Sequence, residues 1–167
     1  IFYLGFCPSD QLMDKLYSLD SRPSVQTTKY AKKILSILES HGKVTNISTA
    51  QIQDYPKCKK LFIFSDPVVS KNKIFIPFIN ILGLKQCFRF LFSLFHLIFY
   101  KDKGVNPIIV LHGVHLPFIL SAVSLKIIGY KVILYATDPP GVILPSDDLV
   151  IKFLKKIDRK LINMLLK

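Results

Sequence analysis

The chain has no tryptophan, two methionines, three cysteines and few acidic residues, 11 against 23 lysines and arginines. Each shortage narrows the reading. Cys7, Cys58 and Cys87 are odd in number and far apart, so they supply neither a disulfide framework nor a zinc knuckle. A reducing compartment, the cytoplasm, is therefore expected, and no metal. The 7 glycines never fall as Gly-x-Gly-x-x-Gly or as Gly-x4-Gly-Lys-Ser/Thr; after the first apolar run stands GFCPSD. A dinucleotide or ATP domain needs those glycines so that its backbone can approach phosphate, so no cofactor is expected. The opening IFYLGF reads as a strand rather than as a charged leader with a cleavage site. A membrane-spanning helix needs roughly 20 apolar residues. The longest candidate falls short and is interrupted at Lys85 and Arg89.

What the chain does have is charge of one sign and aromatic bulk. Its formal net charge is +12, half of its 167 residues are hydrophobic, mean hydropathy is +0.38, and 13 residues are Phe. An acidic partner is implied. Nucleic acid is not expected, because the cations are spread through amphipathic segments and no nucleic-acid-reading motif is present. A basic, apolar and amphipathic pattern fits an anionic membrane surface better.

Along the chain, apolar strands alternate with helical spacing. IFYLGFC (1–7), KVTNIST (43–49), KLFIFS (60–65), KIFIPFI (73–79), PIIVLHG (107–113) and KVILYATD (131–138) read as strands, with Pro77 marking an edge or irregular position. Residues 8–24 read as a long polar connection. Helices are expected over 24–40, with Tyr30, Ile34, Leu35 and Leu38 on one face, and over 86–100, 115–129 and 147–167. Neither an internal repeat nor a low-complexity linker divides the chain. The expected fold is one α/β domain over 1–167: a Rossmann-like, mainly parallel sheet with helices on both faces.

Two of these helices are unusually apolar and basic. In QCFRFLFSLFHLIFY (86–100), Gln86, Arg89, Ser93, His96 and Tyr100 draw one narrow polar stripe, and nearly all else is Phe, Leu or Ile. Such a helix is either wedged between the sheet and a neighbouring helix or lies in a membrane interface, touching it through Phe88, Arg89, Phe92 and Phe95. The last helix carries Lys152, Lys155, Lys156 and Arg159 beside an apolar face of Val150, Phe153, Leu154, Ile157, Leu161, Met164 and Leu165. Its cations are either a solvated face or membrane contacts, each worth about 1 kcal/mol near an anionic leaflet.

The stretch VLHGVHLPFILSAVSLKIIGYKVILYATDPPG (110–141) places His112 and His115 at the exit of one strand and Asp138 at the exit of the next. Ligands of open α/β sheets sit outside the carboxyl ends of strands. Taken singly, Asp138 could start a turn and His115 could cap the following helix. Together they form a polar rim, where histidine can polarise or protonate near neutral pH and aspartate can accept hydroxyl hydrogen bonds. Gly113 allows a tight turn between the histidines, and Pro117 fits the first turn of the helix.

This stretch resembles the amino-terminal half of GT-B fold glycosyltransferases of the large retaining group called group 1. The likeness lies in the His112-Gly113-Val114-His115 run after a central strand, the helix LPFILSAVSLK, and the strand ending at Asp138. The resemblance implies a cleft between two Rossmann-like halves. The amino-terminal half receives the acceptor, often a lipid-linked sugar or a polysaccharide, and the carboxyl-terminal half binds the nucleotide-sugar donor. It implies catalytic roles for His115 and Asp138, and substrate-binding positions at Gly5, His112 and Gly113. The paired glycines of the family's first loop are replaced by GFCPSD, and the donor half lies outside these residues. Alone, the chain is not expected to transfer sugar; it would act with a donor domain or partner chain, at the inner face of the cell membrane. The alternative is a noncatalytic subunit that recruits or scaffolds a split glycosyltransferase at the membrane.

Overall fold

A computed structural model describes residues 1–68, 70–99, 107–137, 143 and 149–166. Five strands form a parallel sheet: β1 (Phe2–Gly5), β2 (Thr45–Ser48), β4 (Lys73–Phe75), β6 (Ile108–His112) and β7 (Lys131–Tyr135), in the order β4-β2-β1-β6-β7. A separate antiparallel ribbon pairs β3 (Phe62–Ile63) with β5 (Phe78–Ile79). The helices are α1 (Asp10–Tyr17), α2 (Val25–His41), α3 (Leu84–Phe99), α4 (Leu116–Lys126) and α5 (Leu149–Leu165). This is the expected Rossmann-like α/β layer.

Strand alternation sorts the core between the two faces. Phe2, Leu4, Ile47, Ile109 and Leu111 join Phe118, Ile119 and Ala122 of α4 and Leu97 of α3 in the main cluster, while Tyr3 packs with Ala31 and Leu35 of α2 on the opposite face. β1 and β6 are buried throughout or nearly so, as central parallel strands must be. β7 is an edge strand with alternate residues exposed.

The expectations failed at three places for identifiable reasons. Residues 8–24 are not simply a connection: Ser9 caps α1 by accepting the Leu12 N–H, and Leu12, Met13 and Leu16 bury its inner side. KLFIFS gives only the two residues of β3, outside the main sheet. KIFIPFI is not one strand: it divides at Pro77, the edge or irregular position expected there, into edge strand β4 and ribbon strand β5, since proline cannot donate to a ladder. On α2 the buried residues are Thr28, Ala31 and Leu35, and Tyr30 stands half in solvent.

The largest surprise is the direction in which α3 faces. The polar and basic row Lys85, Arg89, Ser93 continues to Leu97 at intervals of four and points inward. The apolar residues Leu91, Phe95 and Phe99 face solvent, at 59%, 50% and 70% exposure. The inward polar groups find partners: Lys85 Nζ donates to Ile52 O at 3.0 Å, Arg89 Nη2 to Ala50 O at 2.7 Å, and the Ser93 and Ser121 hydroxyls meet at 2.6 Å between α3 and α4. Arg89 is 3% exposed and so is not the membrane contact expected of it. Phe88 and Phe92 are half-buried against the interior clusters, leaving Phe95 alone of the three expected aromatics on the outer face.

The same outward greasiness recurs on α5. Ile162 is buried, whereas Val150, Phe153, Leu154, Ile157 and Met164 are exposed alongside Lys156 and Arg159. Lys152 and Lys155 are half-buried. Among the described residues no helix is long and apolar enough to cross a membrane.

Candidate functional site

The sheet order reverses beside β1: the chain runs from β1 outward to β2 and β4, then returns to place β6 on the other side of β1. The loops after β1 and β6 therefore part at the carboxyl end and leave a crevice, the place where open α/β sheets bind ligands. Phe6 from the first loop meets His115 from the second, ring centroids 5.1 Å apart and edge to face.

Two cavities lie at this rim. The first, about 390 Å³, is lined by Gln26, Thr27 and Tyr30 of α2 with His112, Tyr135 and Thr137. The second, about 290 Å³, is lined by Phe6, Gln51, Lys85, Arg89, Gly113 and His115, and shares Thr27 and Thr137 with the first. The two expected histidines thus stand in adjoining cavities rather than in one.

His112 ends β6 on the α2 side of the sheet and is buried, its Nδ1 hydrogen-bonded to the Tyr3 hydroxyl at 2.9 Å. Burial raises the Tyr3 phenol above its ordinary range, so it stays a neutral hydroxyl. Gly5 is the last residue of β1. A Cβ there would lie 2.8 Å from the Tyr3 hydroxyl and 3.2 Å from His112 Cβ, so the absent side chain makes room for the Tyr3–His112 pair. Its role on this geometry is packing beneath the crevice.

Gly113 turns the chain with φ +82°, a conformation that disfavours side chains, and its N–H bonds to Tyr135 O at 3.0 Å. His115 occupies the residue before α4 but makes no side-chain cap. Its ring instead packs between Phe6 and Phe118, and Arg89 Nη1 donates to Nε2 at 3.3 Å. That bond leaves the imidazole proton on Nδ1. Desolvation, then the Arg89 and Lys85 charges, holds the imidazole pKa well below 6.5. Of the two roles expected of a histidine at this rim, polarising or protonating, the lowered pKa favours the neutral, hydrogen-bonding one. Asp138 lies outside the described residues.

No family model matches the chain, and neither a curated protein nor a solved structure matches it. The crevice is therefore read from its own chemistry.

Lys85, Arg89, Gln51, Tyr3, Thr27 and Thr137 were not foreseen as parts of the site. One signal was legible: Lys85 and Arg89 are four apart, hence neighbours on one face of the helix. Burial has cost that pair dearly. Desolvation and Arg89 lower the Lys85 pKa against the opposing effect of Asp54, and desolvation pushes Arg89 down to about 9 despite Asp54. Arg89 remains a cation at neutral pH, and the ion pair with Asp54 favours the charged form of Lys85. Among the described residues no group of three or more His, Cys, Asp or Glu is placed to hold a metal ion.

Proposed function

We propose that the protein forms the acceptor side of a membrane-associated glycosyltransferase, moving sugar from a nucleotide-sugar to a lipid-linked or saccharide acceptor. The supporting observation is the histidine loop at the switch-point crevice: His115 sits at the mouth of α4, neutral, with its proton on Nδ1 and Arg89 held behind its other nitrogen. A neutral donor of this kind can hydrogen-bond a sugar hydroxyl without releasing a proton into the transfer. The Phe6 and Phe118 rings flank the imidazole and fix its orientation at the crevice. The nucleotide-sugar half is supplied by a further domain or a partner chain.

The outward face of α3 supports the membrane location. Leu84, Leu91, Phe95, Ile98 and Phe99 form an apolar surface that a solvated helix would not carry, and α5 adds exposed Phe153, Ile157, Lys156 and Arg159. The same face favours a second reading, a noncatalytic subunit that brings a partner enzyme to the membrane. Membranes from cells expressing the complete gene product, incubated with a panel of labelled nucleotide-sugars, separate the two. Labelled lipid or saccharide dependent on this protein supports transfer. Membrane binding with no transfer from any donor, even with the partner chain present, favours recruitment.

A further inference from the structure

The cavity of about 290 Å³ beside His115 is bordered by more positive charge than its surroundings answer. Lys85 and Arg89 are both buried in its wall, and among the described residues Asp54 is the carboxylate that bears on both, ion-paired with Lys85. Fastening the 50–54 segment and Asn80 to α3 accounts for Arg89 Nη2 on Ala50 O and for Lys85 Nζ on Ile52 O and Asn80 Oδ1. It does not account for the second charge, since an amide or hydroxyl would hold a carbonyl as well. Arg89 Nε, though buried, has no hydrogen-bond partner, and the Gln51 side-chain oxygen on the same wall has none either. The Arg89 guanidinium also lies over the Phe6 and Phe78 rings and donates to Gln86 Oε1 and His115 Nε2, but one carboxylate does not balance two buried cations, an imbalance that costs stability. The amino end of α4, which the Gly113–His115 loop brings to this wall, adds a further positive partial charge.

We infer that this cavity is an anion subsite, built to take a phosphoryl or diphosphoryl group against Arg89 and Lys85 at the foot of the crevice. Guanidinium and ammonium groups held out of water bind phosphate through charge-assisted hydrogen bonds, and a cavity of about 290 Å³ admits a phosphate-sized group. Resting on the sugar-transfer reading, the inference names the charged part of the acceptor: a phosphate adjoining the sugar that receives the transfer. Anion binding itself does not require that reading.

Inorganic pyrophosphate, titrated into the full-length protein and followed by calorimetry and thermal shift, tests it. Saturable binding at one site with a rise in melting temperature is expected. Arg89→Met should weaken it roughly tenfold or more, the worth of one hydrogen bond to a charged group. Thr27→Glu, which sets a carboxylate on the cavity wall without disturbing the buried cations, should do the same and guards against misfolding of the arginine variant. Lys156→Glu with Arg159→Glu on exposed α5 should leave pyrophosphate affinity within about twofold at moderate salt. Absence of saturable binding, or binding that survives Thr27→Glu and folded Arg89→Met alike, overturns the subsite. Competition with phosphatidylglycerol vesicles distinguishes sources: displacement of pyrophosphate assigns the phosphoryl group to a lipid headgroup, and its retention to a free phosphate ester. Sugar transfer without pyrophosphate binding removes the subsite and leaves the transfer reading; pyrophosphate binding without transfer does the reverse.

Discussion

Replacing His115 by Gln should flatten the protein's loss of stability in mild acid. In the folded chain the imidazole lies between Phe6 and Phe118, accepts from Arg89, and feels Lys85, all of which disfavour its protonated form. The unfolded chain protonates the same ring near pH 6.5. Below that pH the unfolded state binds a proton that the folded state refuses, so stability must fall as pH falls. The slope is up to about 1.4 kcal/mol per pH unit for one such group. Between about pH 6.5 and about pH 5 this removes up to roughly 2 kcal/mol, a sizeable part of an ordinary domain's stability. Arg89, held down only to about 9, stays charged throughout that interval, so its repulsion does not relax. His96, also lowered by desolvation, contributes in the same direction, and Asp158, raised by desolvation, in the opposite one; both are retained in the variant and cancel in the comparison. Urea unfolding of both proteins, followed by circular dichroism at about pH 7.5 and about pH 5, reads the difference. The variant should lose less stability than the parent by up to about 2 kcal/mol. Equal losses would refute the placement of a neutral, enclosed His115 against Arg89.

Other consequences are as direct. Gly5→Ala should cost about 1–3 kcal/mol through overpacking against Tyr3 and His112, and an unchanged denaturation midpoint would contradict that packing. Leu91→Glu with Phe95→Glu alters side chains that are at least half exposed, so each should shift stability by no more than about 0.5 kcal/mol. The pair should nonetheless weaken sedimentation with anionic vesicles by roughly tenfold or more, from the apolar area withdrawn from the interface. Undiminished vesicle binding would move the membrane contact away from α3.

How far the sequence discloses this molecule depends on which forces act at each segment. The central strands were legible because a parallel strand buried on both faces must be almost wholly apolar, as in Phe2–Gly5 and Ile108–His112. Gly113 and Pro117 marked the β6–α4 turn for stereochemical reasons that hold in any fold. The ribbon of β3 and β5 was not legible, since two-residue strands carry no periodicity, and which sheet a strand joins is a tertiary choice. Helix α1 was hidden behind Pro8-Ser9-Asp10, although the cap at Ser9 and the spacing of Leu12, Met13 and Leu16 were there to be read.

The facing of α3 failed for a deeper reason. A polar stripe ordinarily seeks water, but here Ala50 O, Ile52 O, Asn80 and Ser121 offer it partners inside. Those partners come from segments distant in sequence, so the pattern of α3 alone could not disclose them. For the same reason His112 and His115 were found at the strand end while their neighbours, Tyr3 for one and Arg89 for the other, were not. Position along a strand is written locally. The charge that surrounds it is assembled by the fold.

The central claim, that the crevice at the ends of β1 and β6 serves sugar transfer, is tested most directly by comparing the complete protein with its His115→Ala variant. Both would be assayed for label transferred from a saturating nucleotide-sugar into membrane lipid, with circular dichroism confirming that the variant is folded. Loss of a positioned hydrogen bond to the reacting sugar should lower turnover by roughly tenfold to a thousandfold with the fold retained. Equal turnover in the two proteins would contradict the claim.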